Sequence, residues 1–423
     1  MTLELVSIDI QREEMGLPDI AYSRSNTRGV PTSFTGRHRI FILPMLILST
    51  SVAQAADLTA LPGSGGAANN LDAEASNLRP GDTDSYVEIY GQINKGLLVY
   101  DDGRSTNAFL LVDNANSSTR AGIRFHHEVD PGLTIGGNVE GEWNPYSTGY
   151  VNQLNKGDVD WDTALLRKAE LYFDASAYGK FWFGQGSMAS DGTAEVDLSG
   201  TAVIGYASAA DSASGQFYRL DDGTLSSITV GSTFSDLDGI GRRLRVRYDS
   251  PSFNGFVLGS SVGQQVVPSR KGEMGWDVAL KYNSVMTDYK IAAAFSYSDP
   301  GGNKKGLVGG SASVLHTLSG WSLTVAGGYE PLDDRNRHFL YAKLGHQADY
   351  FDVGNTAYSI DTYYGDNILT QQSETVSVGG QLVQMVDAWR SEFYLGVRSY
   401  VYEDATNEYD RGFSMLTGAR MKF

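Results

Sequence analysis

The chain of 423 residues contains no cysteine, 11 prolines and six histidines, and its 50 Asp and Glu outweigh 33 Lys and Arg for a formal charge of −17. Without cysteine there is neither a disulfide framework nor a thiolate metal site. The acidic balance leaves no basic field for a phosphate backbone, so nucleic acid is excluded as a partner. From Val87 onward no run of 18 apolar residues occurs, which rules out a membrane helix, and no 3.6-residue periodicity is sustained. The chain also lacks a Gly-x-Ser-x-Gly elbow, a Gly-Lys-Ser/Thr phosphate loop and a His-Glu-x-x-His pair, so nothing points to an enzyme, a cofactor or a metal. The adjacent His126 and His127 would point to opposite faces of a strand and cannot readily share one ion. What is abundant is glycine, at 49, with 24 Tyr and 17 Phe. That mixture reads as many short strands joined by turns.

Arg37, His38 and Arg39 precede the apolar run Ile40 to Ile47, and Val52-Ala53-Gln54-Ala55 supplies a small-x-small cleavage site. Residues 37–55 are therefore read as a secretory signal, with the mature protein starting at Ala56. The run is too short to span a bilayer. Residues 1–36 lie upstream of an otherwise complete signal and are read as a non-native or mis-called N-terminal extension. Residues 56–85, rich in Ala, Gly, Asn and Asp, read as a flexible lead-in. The structured part is expected over 86–423.

In that part, period two recurs. Along 133–143, Leu133, Ile135, Val139 and Trp143 share one face while Thr134, Asn138, Glu140 and Glu142 share the other. Arg120 and Arg124 alternate with Ile123 and Phe125, and Arg243, Arg245 and Arg247 alternate with Leu244, Val246 and Tyr248. Sixteen strands are expected, starting near residues 87, 119, 133, 165, 180, 242, 256, 276, 289, 307, 321, 338, 357, 375, 392 and 413. Short connections such as Asp130-Pro131-Gly132 interleave with long polar ones such as Asn144 to Thr163. The pattern predicts an all-β fold, a transmembrane antiparallel up-and-down β-barrel of about 16 strands, closed so that no backbone group is left unpaired in lipid. Tyr86, Tyr90, Trp143, Tyr146, Tyr150, Trp321, Tyr400 and Tyr402 are expected in girdles at the two membrane boundaries.

Five local stretches resemble the general diffusion porins of Gram-negative outer membranes: Tyr90-Gly91-Gln92-Ile93-Asn94-Lys95-Gly96-Leu97, Ser118-Thr119-Arg120-Ala121-Gly122, 178–185, 248–256 and the terminal Phe423. The resemblance spans 87–423. It implies localisation in the outer membrane, a homotrimer among lipids and lipopolysaccharide, passive passage of small hydrophilic solutes, and an assembly machinery that reads Phe423. It also implies that the long segment 187–241 folds inward as a constriction loop, putting Asp191, Glu195 and Asp197 in the pore opposite the wall residues Arg120, Arg124, Arg243, Arg245 and Arg247. Two alternatives stand beside these roles: a hydrated external loop for the acids, and internal ion pairs with Glu88, Glu128 and Glu140 for the arginines. The family pattern would place Arg167 in the lumen, whereas alternation puts Lys168, Glu170, Tyr172 and Asp174 on the polar face, so a register shift or bulge is required. Lys95 is aimed away from the lumen. A selective sugar or anion channel, and a closed structural or adhesive barrel, are the competing functional readings. A soluble secreted β protein is disfavoured by the apolar faces it would expose.

Overall fold

The computed structural model describes residues 79–157, 164–266, 272–302 and 305–423, all within one compact unit, Ala53–Phe423. The leader segments read from 1–55, and most of the lead-in 56–85, lie outside the described residues.

Strands dominate. They run β1 (Ser85–Asp101), β2 (Thr106–Asp113), β3 (Arg120–Asp130), β4 (Leu133–Trp143), β5 (Ala164–Ala175), β6 (Gly179–Ser187), β7 (Phe217–Arg219), β8 (Leu225–Thr229), β9 (Arg242–Asp249) and β10 (Phe256–Gln264). There follow β11 (Met274–Val285), β12 (Tyr289–Asp299), β13 (Leu307–His316), β14 (Trp321–Pro331), β15 (Asn336–Phe351), β16 (Gly354–Asp366), β17 (Glu374–Val386), β18 (Ser391–Glu403) and β19 (Gly412–Lys422). Each barrel strand pairs antiparallel with its neighbours, and β19 returns to β1 from Gln92↔Lys422 to Asp101↔Phe413, which closes the sheet. β2 and β3 are two pieces of one stave: β2 pairs with the Lys95–Asp101 end of β1 and β3 with its Ser85–Gln92 end. The wall therefore has sixteen staves, and each of the sixteen expected starts falls within three residues of an observed one.

Closure removes every sheet edge, and the alternation then sorts the two faces. Along β15, Leu340 and Leu344 are 63% and 47% exposed on the outside, whereas Tyr341 and Lys343 are 3% and 1% exposed inside. Apolar out and polar in is the inverse of a soluble core and suits a lipid surround. Trp143, Trp276, Tyr297, Tyr329, Tyr364 and Phe413 form an exposed belt near the long-loop ends, and Phe256, Tyr289, Trp321, Phe351 and Phe393 another near the short turns. The girdle expectation needs correction at five positions, one of them Tyr146, which lies beyond β4 and packs against the interior cluster. Tyr86 and Tyr90 belong to the inward face with Gln92 and Asn94, and Tyr400 and Tyr402 are fully buried within the barrel, where they meet the long connector after β6.

The seam is tight. Gly91 N–H donates to Phe423 O at 2.9 Å and Phe423 N–H to Gly91 O at 3.0 Å. A Cβ on Gly91 would lie 2.6 Å from the Phe423 ring and 2.8 Å from the Arg120 carbonyl, so no larger residue fits without displacing the terminal strand. Gly91→Val is expected to cost about 1–3 kcal/mol by overpacking. Its readout is the fraction of chain that refolds to an SDS-resistant, heat-modifiable barrel, and an undiminished fraction would refute the assignment.

Candidate functional site

The connector between β6 and β9, residues 188–241, is the largest insertion in the wall, and its hydrogen bonds show where it goes. Ala189 N–H donates to Ser261 Oγ of β10 at 2.8 Å, Ser190 N–H to Asp277 of β11 at 2.9 Å, Val196 N–H to Ser311 Oγ and Leu198 N–H to Ser313 Oγ of β13 at 2.9 and 3.0 Å. Thr201 and Ser359 of β16 share a hydroxyl bond of 2.7 Å, and Asn114, in the break between β2 and β3, donates to the Val203 carbonyl at 2.8 Å. All these wall partners sit on the buried, inward phase of their strands. Short hydroxyl side chains let the connector backbone approach the wall while satisfying groups that closure would otherwise leave unpaired.

Beyond Ser212 the connector rises as the hairpin β7–β8 to the long-loop end. There Arg219 grips Asp102 with two bonds of 3.0 and 2.7 Å, and Asp410 N–H donates to the Arg219 carbonyl. The short helix α1 (Val230–Thr233) turns the chain back, and Tyr363 Oη donates to Ser235 O at 2.7 Å. Val203, Ile204, Val230, Phe234 and Leu237 pack against Leu98, Phe339, Tyr363, Tyr400 and Leu416 of the wall. This apolar contact seats the connector on one side of the interior.

The predicted site residues separate into distinct roles. Asp191 and Glu195 are half-buried on the outbound leg, and the returning leg brings Asp236 and Asp238 to the same place, Asp238 accepting from Gly192 N–H at 2.6 Å and Ala194 N–H at 2.7 Å. Asp197, by contrast, is buried and paired: Lys343 Nζ lies 2.7 Å from its carboxylate and 2.6 Å from the Gly205 carbonyl. This carboxylate fastens the connector to the wall and presents no free charge.

The arginines are likewise engaged. Arg124 pairs with Glu88 at 3.1 Å, Arg245 with Glu170 at 2.5 Å and Arg247 with Asp249 at 2.9 Å. Arg243 donates to the carbonyls of Glu273, Pro300 and Gly263, while Arg247 also reaches those of Ser187 and Met188, where the connector departs. Arg120 stands half-buried on the inward phase of β3. Arg167 faces inward after all, bonded to Glu140 at 2.7 Å and to Glu142, because the β4–β5 register shifts between Glu140↔Lys168 and Gly141↔Leu166. That is a bulge, and it turns both Arg167 and Lys168 inward. Lys95, on the outer phase, is held by Asp113 at 2.9 Å.

Burial and mutual repulsion govern the acidic cluster. Burial, then the neighbouring Asp238 and Asp236, raise the Glu195 carboxyl well above its usual range, and burial, then Asp236 and Asp191, raise Asp238 likewise. Asp236 is pushed up to about 6 and Asp211, which accepts from Tyr206 Oη at 2.6 Å, to about 7, each chiefly by burial. Because they repel one another, Glu195, Asp236 and Asp238 titrate as a set. Period-two patterning could have flagged Lys343, a charge on the inward phase between Leu340 and Leu344. No local signal marked Asp236 or Asp238, since their place depends on where the connector turns back.

Comparison with known proteins bears on the whole architecture. The family description of Gram-negative porins matches residues 44–415. An anion-selective porin from Comamonas acidovorans superposes with a TM-score of 0.53 at 14% identity, over 80% of this chain and 100% of that one. OmpT of Vibrio cholerae gives 0.52 at 14% over 82% and 99%, and OmpF of Salmonella typhi, in complex with daunomycin, 0.51 at 12% over 82% and 100%. A search of curated protein sequences finds no match. With a family match over most of its length and a closed barrel whose lipid-facing and interior faces are sorted as described, the chain belongs to the Gram-negative porins, multi-pass channels of the outer membrane.

Proposed function

We propose that this porin passes small hydrophilic solutes and ions passively, between the charged inner wall of β3–β6 and β9 and the acidic edge of the connector. Catalysis plays no part in this reading: the chain works by lining a passage. The observation that carries it is the placement of Asp191, Glu195, Asp236 and Asp238 together on a connector whose one basic residue is Arg219, while Arg124, Arg245 and Arg247 are bound to carboxylates and Arg243 to carbonyls. Where these carboxyls are ionised, the excess charge on the passage is negative, which favours cations. Asp191 and Glu195 act at the constriction, Asp197 acts as its anchor, and Arg120, Arg124, Arg243, Arg245 and Arg247 hold the opposite wall in shape. Residues 37–55 serve export, Phe423 is read during barrel assembly, and the outer belt meets lipid, lipopolysaccharide and two further copies in a homotrimer.

The test is planar-bilayer recording of the refolded protein under a KCl gradient. Stepwise currents with a cation-side reversal potential are expected; a folded barrel that carries no current would instead favour the closed, structural reading. The recording should also respond to acid. Because Asp211 and Asp236 take up protons as the pH falls through about 7 and about 6, cation preference should decline between pH 8 and 5, well above the ordinary carboxylate range near 4. Stability moves the other way. A carboxyl with a raised folded pKa binds more protons folded than unfolded, so this cluster favours folding increasingly as pH falls through that window. Selectivity that stays constant down to pH 5 would show that the cluster lies off the ion path.

A further inference from the structure

Aromatic side chains are unevenly exposed over the interior. Under the connector, wall rings such as Phe339, Tyr363 and Tyr400 are buried among its side chains, whereas near the short-turn end of β1, β3, β5 and β6 the wall presents half-buried rings. Tyr86, His126, Tyr172 and Trp182 occupy one row of directly paired positions, Tyr86↔His126, His126↔Gly136, Gly136↔Tyr172 and Tyr172↔Trp182. All four rings are half-buried on the inward phase. With strands about 4.8 Å apart, the row sweeps roughly 20 Å of wall. Gly136 makes it continuous: a Cβ there would lie 2.2 Å from the Tyr172 ring, and the vacated space lets that ring cross β4 to bring its hydroxyl 3.3 Å from His126 Nδ1.

Cations cap these rings. Lys180 Nζ stands 3.8 Å from the Tyr172 centroid and 4.4 Å from that of Trp182, with Asp174 3.5 Å away. Arg79 lies 3.4 Å over Tyr86, whose ring stacks on His126 at 4.8 Å. Tyr172 and Trp182 are inclined at 52°, and Trp182 Nε1–H is fixed by Asp249 at 3.0 Å. This arrangement sorts solutes by chemistry. A cationic solute would be repelled by Lys180 and Arg79, which already stand over the electron-rich faces. An anion with a flat apolar body suits the row, its charge drawn to the ammonium or guanidinium and its ring packed edge-to-face with its neighbours.

We propose that this row is a binding station for aromatic monocarboxylates on the wall of the passage. The proposal rests on the channel reading above and adds a solute class to it. Benzoate is the probe, with acetate and cyclohexanecarboxylate as controls for charge and for apolar bulk. In bilayers, benzoate is expected to block the KCl current reversibly at concentrations where both controls leave it unchanged. Lys180→Gln and Trp182→Leu should each raise the half-blocking concentration about five- to tenfold. Equal block by all three acids, or block unaltered in both variants, would overturn the station. Equilibrium dialysis of benzoate against the refolded barrel in detergent keeps the two proposals apart, since it reads binding whether or not current flows. Saturable binding weakened in both variants supports the station even if the barrel is closed, and a conducting barrel that binds no benzoate refutes the station and leaves the channel standing.

Discussion

Replacing Lys343 with methionine is expected to loosen the connector more than any other single change. The ammonium is 1% exposed and bridges the Asp197 carboxylate and the Gly205 carbonyl, so its removal leaves a buried carboxylate whose remaining partners, Ser199 N–H at 2.7 Å and Thr324 Oγ1 at 3.4 Å, are neutral donors. Stripping one partner from a buried pair costs about 3–5 kcal/mol, mostly as the penalty on the charge left behind. The variant should unfold at lower denaturant and show noisy, variable channel currents. The double variant Asp197→Asn/Lys343→Met should recover most of the loss, because no unpaired charge remains. A single variant that melts and conducts like the parent would show that the pair does not hold the connector.

Neutralising the acidic cluster should have the largest effect on selectivity. With Asp191→Asn, Glu195→Gln, Asp236→Asn and Asp238→Asn combined, the preference for K+ over Cl− is expected to fall roughly tenfold, on the scale by which a charged cleft enriches its counterions. The double variant Asp197→Asn/Lys343→Met should leave the reversal potential in place, since it removes one charge of each sign from a neutral pair. The two variants discriminate sharply: a shift from the neutral-pair double variant equal to that of the quadruple variant would mean that the anchor, and not the cluster, faces the ions.

Much of this architecture is legible in the sequence, and the physical reason is the simplicity of the constraint. A strand between lipid and water must alternate, and a turn must follow, so sixteen starts could be located from period two and turn residues alone. The conflict at Arg167 was also visible as a choice between two phases, and the bulge opposite Gly141 resolves it by giving both Arg167 and Lys168 the inward side. Harder to read were features set by distant chain. Tyr400 and Tyr402 resemble girdle residues in their own strand, yet they are buried among connector side chains such as Phe234 and Tyr218. Asp197 looks like its neighbours Asp191 and Glu195 until Lys343 is placed beside it, 146 positions later. The arginines of β9 alternate as a pore ladder would, but their guanidinium groups are spent on Glu170, Asp249 and loop carbonyls, the outcome that the internal-pair alternative described for Arg124 and Glu88.

The bonds that seat the connector carry a consequence for the order of events during maturation. Apart from Asn114, the wall partners of its outbound leg come later in the chain, by 72 residues at Ser261, 115 at Ser311 and Ser313, and 158 at Ser359. Contacts between such remote positions form slowly, because the intervening chain must first be ordered. The anchoring wall does not exist until β16 has joined its neighbours, so the connector is expected to dock last, after the cylinder has closed. A fluorophore at Ser208 would report that step as a phase slower than the gain of β-structure by circular dichroism, whereas coincident phases would mean that wall and connector mature together. The newborn barrel would then pass through a wide-bored stage, and its final bore would be a late acquisition set by strands synthesised after the connector itself.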